Sequence, residues 1–265
     1  MTTESLRGKN VLVTGASRGI GRAFADEAIA RGARVYAAVR NPESLRSACD
    51  EYGERIVPIA LDLRDLTTIS DLARRCPDVD LLVHNAATPL PGAALDVPMS
   101  DVRDLFETNF FGPLELLRAM SASIARRNAG VLVVASQAAL LVSRSSPLYS
   151  ASKAALTMAV LGMRAQLRDA GVPVALVFPG MVATEMTARM SGPKTAPGAV
   201  AANALDAFAR GELAIFPDRH SQIVLATLQQ QLLDGLTDPQ PLAELAVTRF
   251  IAEVGERPHN AEIVS

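Results

Sequence analysis

Six short apolar runs, at 10–14, 34–39, 56–61, 81–85, 131–136 and 172–178, alternate with helical patterns at about 19–31, 42–52, 65–75, 101–126 and 149–169. Strand–helix–strand succession of this kind builds βαβ units. Most of the runs lack polar alternation, as expected of strands covered on both faces. The pattern therefore predicts an α/β fold. A chain of 265 residues could form one large domain or two small ones. It is 49% hydrophobic and has no Pro- or Ser-rich linker, which favours one continuous core. No internal repeat or low-complexity segment interrupts it.

The first run, Lys9-Asn-Val-Leu-Val-Thr14, passes directly into Gly15-Ala-Ser-Arg18-Gly19-Ile-Gly21 and an Ala-rich helix. Glycines between a strand and a helix let the backbone approach a phosphate, which the helix N-terminus then stabilises. The spacing is Gly-x-x-x-Gly-x-Gly rather than the common Gly-x-Gly-x-x-Gly.

A second signal lies at Tyr149-Ser-Ala-Ser-Lys153. Residues four apart share a helix face, so the phenol and the ammonium can share a pocket. A free phenol has a pKa of about 10, too high for proton transfer near neutrality, and a nearby cation lowers it. Ser136 follows the buried run Val131-Leu-Val-Val-Ala135. A strand end and a helix start can thus gather a hydroxyl, a phenol and an ammonium around one substrate oxygen.

Together, Thr14-Gly15-x-x-x-Gly19-x-Gly21, Asn85-Ala86-Ala87, Asn109, Ser136, Tyr149-x-x-x-Lys153 and Pro179-Gly180 resemble the short-chain dehydrogenase/reductase family, in its compact single-domain branch. The match keeps the family's order and covers roughly residues 6 to 190. The resemblance implies a doubly wound parallel sheet of Rossmann type, with helices on both faces, that binds a nicotinamide dinucleotide. It implies Asn109, Ser136, Tyr149 and Lys153 as catalytic residues. The cofactor residues it implies are Gly15, Ser17, Arg18, Gly19, Ile20, Gly21, Arg40, Asp62, Leu63, Asn85, Ala86, Tyr149, Lys153, Pro179, Gly180, Val182 and Thr184. Ser136 and Tyr149 would meet the substrate, with Leu140, Leu141, Val142, Met181, Met186 and Met190 expected to line the pocket. This apolar set favours a lipophilic ketone or aldehyde and its alcohol, although Arg144 could greet an anionic group.

NAD-binding relatives close the second strand with an acidic residue that holds the ribose hydroxyls. Here Val39 and Arg40 stand in that place. Arg40 and Arg18 could clamp a 2′-phosphate, so NADP(H) is preferred over NAD(H); the alternative is that both arginines are solvated surface charges. Asp62 reads either as an adenine contact or as a turn aspartate. Asn85-Ala86-Ala87 departs from the family's Asn-Ala-Gly, which puts the local loop geometry in question. By resemblance, Asn109 holds a water that links the lysine to solvent. The Gly112-Pro113 that follows it in mid-helix suggests an irregularity.

In the mechanism implied, Ser136 and Tyr149 donate hydrogen bonds to the carbonyl oxygen. Tyr149 is the acid in reduction and its phenolate the base in oxidation. Two other readings remain open: a lyase or epimerase, and a non-catalytic NADP sensor. The loop spacing counts against the first. The intact Asn109, Ser136, Tyr149 and Lys153 count against the second.

Helix 149–169 is apolar nearly all round, which suggests a second subunit over its outer face and a homodimer or homotetramer. Residues 185–198 are the expected substrate lid. Beyond them the resemblance thins: a helix at about 198–210, a last strand at 213–216, and helices at 220–237 and 241–254 that make 220–265 a C-terminal extension. The net charge of -2 gives no reason to invoke nucleic acid or an anionic membrane. No apolar stretch approaches a membrane span, and no signal peptide opens the chain, so the expected location is cytoplasmic. Cys49 and Cys76 read as reduced bystanders. The three histidines are too far apart in sequence for a metal cluster.

Overall fold

The computed structural model describes residues 6–143 and 145–234. Seven strands form one all-parallel sheet: β1 (Asn10–Thr14), β2 (Arg34–Val39), β3 (Ile56–Ala60), β4 (Leu81–His84), β5 (Gly130–Val134), β6 (Val174–Val177) and β7 (Ala214–Ile215). Their order is β3-β2-β1-β4-β5-β6-β7. The helices are α1 (Gly19–Ala30), α2 (Arg46–Tyr52), α3 (Leu66–Arg75), α4 (Met99–Phe106), α5 (Gly112–Arg127), α6 (Pro147–Leu167), α7 (Pro197–Ala209) and α8 (Arg219–Asp234). Each strand lies within two residues of its expected bounds. The pattern at 241–254 and Arg144 fall outside the described residues.

Side chains alternate along each strand, so the sheet feeds two separate cores. Val11, Val13, Val35, Ala37, Val83, Leu132 and Val177 pack against Phe24 and Ile29 of α1, Ala48 of α2 and Leu205 and Phe208 of α7. Leu12, Ala38, Ile59, Leu82, Val131, Val133 and Leu176 pack against Leu72 of α3, Leu116 and Met120 of α5 and Leu156 of α6. Burying one such leucine or phenylalanine contributes about 1.5–3 kcal/mol. Helices on both faces explain why the strands read as unbroken apolar runs. This is the doubly wound Rossmann-type arrangement.

Two departures from the helical pattern matter. The segment 42–52 opens as a 3₁₀ turn, Pro42–Leu45, because Asn41 caps it by accepting the Glu43 N–H and proline occupies the first position. The long pattern at 101–126 is two helices joined by a π-helical turn, Glu107–Phe111. A π-turn adds one residue per turn and redirects the side chains it carries. Just after it, a Cβ on Gly112 would stand 2.2 Å from Leu63 O, so only glycine lets α5 approach the loop after β3.

Strand order reverses between β1 and β4, where a chain that has built β1, β2 and β3 crosses back. In such sheets the crevice outside the carboxyl ends of the strands at this point receives ligands.

Candidate active site

The crevice begins where β1 ends. Gly15 and Gly19 adopt φ of +68° and +58°, a region that side chains rarely tolerate. At Gly21 the constraint is contact: a Cβ would lie 2.2 Å from Gly15 O and 2.5 Å from Asn85 Nδ2. Arg18 precedes α1 in extended conformation, no side chain caps the helix, and its first turn has no acidic residue. The leading N–H groups of α1 therefore face the crevice with a partial positive charge, which fits a dinucleotide's pyrophosphate. Ser17 lies in the same loop, and Ile20 in the first turn of α1.

Thr14 ties this loop to β4. Its hydroxyl accepts the N–H groups of Asn85 and Ala86, both at 3.0 Å, and Asn85 Nδ2 donates to Thr14 O at 3.1 Å. With both acceptor positions used, the Thr14 proton points to His84 Nδ1, 3.2 Å away. The imidazole proton then sits on Nε2, which has no partner among the described residues. Burial and the Lys153 ammonium hold His84 neutral, lowering its pKa to about 3. Ala87 takes a negative φ, as every non-glycine described residue does except Asn128. The loop therefore does not need the family's glycine.

Ser136 leaves β5 in extended conformation, and its Oγ accepts the Ala138 N–H at 3.1 Å. Tyr149 lies in the first turn of α6, with its phenol close enough to Ser136 for the serine to favour the ionised form. One turn on, Lys153 is buried, with Nζ donating to Val134 O at 3.1 Å and 6.0 Å from the Tyr149 ring centre. Asn109 projects from the π-turn with no solvent exposure. Its Nδ2 donates to Thr88 O at 2.9 Å and Ser152 Oγ at 3.1 Å, and its Oδ1 accepts Thr88 N–H at 2.8 Å. The Asn109 side chain is thus fully engaged, and it locks the loop after β4 to the helix face that carries Lys153.

The electrostatics differ from the expectation that Lys153 lowers the phenol. Burial pushes Tyr149 up to about 12, against the opposing effect of Ser136. The same loss of solvation brings Lys153 down to about 8. Each group loses water that favoured its charged form, and the ammonium is turned to Val134 O rather than to the phenol oxygen. In this state the crevice holds a neutral phenol.

Around the rim, Arg40 is exposed at the end of β2 and has no ion pair among the described residues, whereas Arg18 pairs with Glu185. Asp62 Oδ1 accepts the Arg64 N–H at 3.0 Å, the turn role, and Leu63 beside it is buried. Pro179 and Gly180 follow β6. Thr184 overhangs Gly19, its Cγ2 3.2 Å from where a Gly19 Cβ would stand. Val182 pairs with Thr195, which pinches together the ends of the loop expected as the lid. Residues 197 and 198 already belong to α7. Leu140, Leu141 and Met181 are partly buried, while Val142, Met186 and Met190 are exposed. A cavity of about 870 Å³ between α1 and the 183–198 segment shares Gly19 and Thr184 with the crevice, but Ser136, Tyr149 and Lys153 do not line it. The chemistry lies elsewhere.

Thr14, Thr88 and Ser152 escaped the sequence reading as site residues; each acts through a partner distant in sequence. Both cysteines are free, and burial pushes the Cys76 thiol up to about 11. Among the described residues, no three His, Cys, Asp or Glu side chains are grouped to hold a metal, and no helix is long and apolar enough to cross a membrane.

The family model for short chain dehydrogenase matches residues 9–194. A ketoacyl reductase, HetN, from Nostoc sp. is 34% identical over 74% of this chain and 71% of its own length. The 3-oxoacyl-[acyl-carrier-protein] reductase FabG of Escherichia coli is 29% identical over 71% of this chain and 79% of its own. A short chain dehydrogenase from Burkholderia cenocepacia, solved in complex with NADP, superposes with a TM-score of 0.81 at 31% identity, covering 90% of this chain and all of the other. With the motifs in order, the strand order and the crevice geometry all in agreement, the protein belongs to the short-chain dehydrogenase/reductase family of oxidoreductases, which use NAD(P)(H).

Proposed function

We propose that the protein interconverts a lipophilic ketone or aldehyde and its alcohol, with NADP(H) in preference to NAD(H). The observation that carries this reading is the gathering of Ser136, at the end of β5, and Tyr149, in the first turn of α6, with the Lys153 ammonium buried one turn beyond. NADPH, when bound, supplies the hydride. Everything else falls to the chain's own side chains. Ser136 and Tyr149 direct two hydroxyls at one point, where a carbonyl oxygen accepts from both as it gains charge. Tyr149 then passes its proton to that oxygen. In the reverse direction its phenolate takes the proton back. Lys153 supplies positive charge beside that phenolate, and Asn109 keeps α6 in register.

The cofactor preference is supported by the lack of a carboxylate at the end of β2 and by Arg40, which is exposed and has no ion pair among the described residues. The apolar Leu140, Leu141, Met181 and Met186 favour a lipophilic substrate, a class to which the ketoacyl of one relative's name and the 3-oxoacyl of another's conform. Residues 185–196 act as the lid. The outward face of α6, with Met158 and Leu161 exposed, receives a second copy of the chain; sedimentation that gives a monomer at micromolar concentration would contradict this last point.

NADPH oxidation with a panel of aldehydes and ketones tests the central reading. Turnover that persists at the parent rate in Tyr149→Phe overturns the mechanism. Tight NADPH binding with no turnover on any carbonyl would favour a sensor instead.

A further inference from the structure

Beyond residue 194, where the family match ends, the chain returns to the crevice. β7 pairs with β6, and the residues after it pack against the Pro179–Gly180 turn. Phe216 stacks on Phe178 with ring centres 5.2 Å apart, and Asn203 Nδ2 donates to Pro217 O at 2.8 Å. These contacts fix Asp218, only 4% exposed, against Gly180. One carboxylate oxygen, Oδ1, accepts the Ser221 N–H at 2.9 Å. The other, Oδ2, accepts the Gly180 N–H at 2.8 Å. A Cβ on Gly180 would stand 2.6 Å from Asp218 Oδ1 and 2.7 Å from His220 Nδ1, so the fit requires glycine.

The first contact is an ordinary helix cap, with Asp218 at the position before α8 and Ser221 at its third residue. Ser221 Oγ returns the favour by donating to Asp218 O at 2.9 Å. A cap needs one acceptor oxygen, and serine or asparagine would supply it as well. Only a carboxylate adds a second, and here the second reaches the turn. The α8 N-terminus stabilises the negative charge so placed.

We propose that Asp218 is a positioning residue for the side of the cofactor crevice formed by Pro179 and Gly180. It fixes the Gly180 N–H directly. Through Pro179 O, which accepts the Gln137 N–H at 3.0 Å, it also steadies the loop that carries Ser136. The proposal rests on the reading of the crevice as an NADP(H) site.

Asp218→Asn tests it in the full-length chain. Its one oxygen can cap α8, but its amide then turns a donor toward the Gly180 donor. Amide exchange at Gly180 should quicken by about tenfold, the equivalent of one hydrogen bond. The NADPH dissociation constant, from nucleotide fluorescence, should rise by about tenfold. Ser221→Ala is the control, because it weakens the cap and leaves Asp218 on Gly180. It should lower thermal stability while NADPH binding stays within about twofold. Asp218→Ser, which keeps a cap without the second oxygen, serves if the asparagine variant does not fold.

Unchanged exchange at Gly180 would overturn the proposal. So would quickened exchange with unchanged NADPH affinity, or an equal loss of affinity in Ser221→Ala. A parent protein that binds no NADPH would sink the cofactor reading instead, and the exchange comparison would still decide whether Asp218 holds the turn.

Discussion

Titrating the cofactor-free protein beside its Tyr149→Phe variant isolates one phenol of three, since the chain has Tyr36, Tyr52 and Tyr149 and no tryptophan. Burial pushes Tyr149 up to about 12 and also raises Tyr36 and Tyr52. At pH 10 a phenol with a pKa of about 12 is roughly 1% ionised, against about 50% for an unperturbed one. The difference in near-ultraviolet phenolate absorbance between parent and variant should therefore stay near zero up to pH 10. The contrast is complete before strong alkali is needed. The raised value also has a stability sign. The unfolded phenol loses its proton near pH 10 and the folded one near 12, so the contribution of about 3 kcal/mol is whole below pH 10 and is lost as pH rises through 12. A difference spectrum with its midpoint below pH 9 would refute the reasoning, because the phenol would then be tuned by Lys153 before any cofactor arrives.

Lys153 has the opposite sign: its pKa falls from 10.5 to about 8, so parent stability should rise by about 1.4 kcal/mol per pH unit from 8 toward 10.5. Urea midpoints for parent and Lys153→Met will check this, and the variant should lose the slope. His84, lowered from 6.5 to about 3, contributes stability that is whole above pH 6.5 and decays toward pH 3. At pH 5 the parent should lose about 2 kcal/mol that His84→Asn does not, and equal acid slopes in urea unfolding would count against a neutral buried ring. Gly21→Ala would press a methyl onto Gly15 O, so NADPH binding should vanish and unfolding should cost at least about 1–3 kcal/mol less, as calorimetry and fluorescence titration can show. Arg40→Ser should weaken NADPH by about tenfold and leave NADH within about twofold; equal losses for both would return Arg40 to the status of a solvated surface charge.

Parallel strands buried on both faces are written as continuous apolar runs, so β1 to β6 were legible from side chains alone. Their ends were not. Ala135 and Phe178 are buried just beyond the assigned strands, each donating one last N–H, to Val177 O and Ile215 O, so the apolar runs extend past the strand ends. The π-turn left Asn109, Gly112 and Pro113 as traces, but one extra residue in a turn has no compositional mark that distinguishes it from a kink. The phenol is the sharper lesson. The sequence places a cation four residues away and invites a lowered pKa, whereas the desolvation that reverses the sign arises from how deeply α6 sits against β5. That depth depends on the whole sheet.

The same division explains why the role of the last third was opaque although its elements were legible. Phe216-Pro-Asp218-Arg-His-Ser221 carries a readable signal, an aspartate three residues ahead of a serine at a helix start, and that signal accounts for one carboxylate oxygen. The other oxygen has its partner 38 residues earlier, and no local pattern can encode such a pairing. Thr14 with Asn85, 71 apart, and Asn109 with Ser152, 43 apart, are of the same kind. Thr14 and Asn109 make only distant bonds, whereas Asp218 meets a local need and a distant one together. A substitution that satisfies only the local need would leave the helix or strand intact and release the loop it holds. Residues of this type should therefore separate cofactor affinity from thermal stability, and Asp218→Asn against Ser221→Ala is the pair in which that separation can be measured.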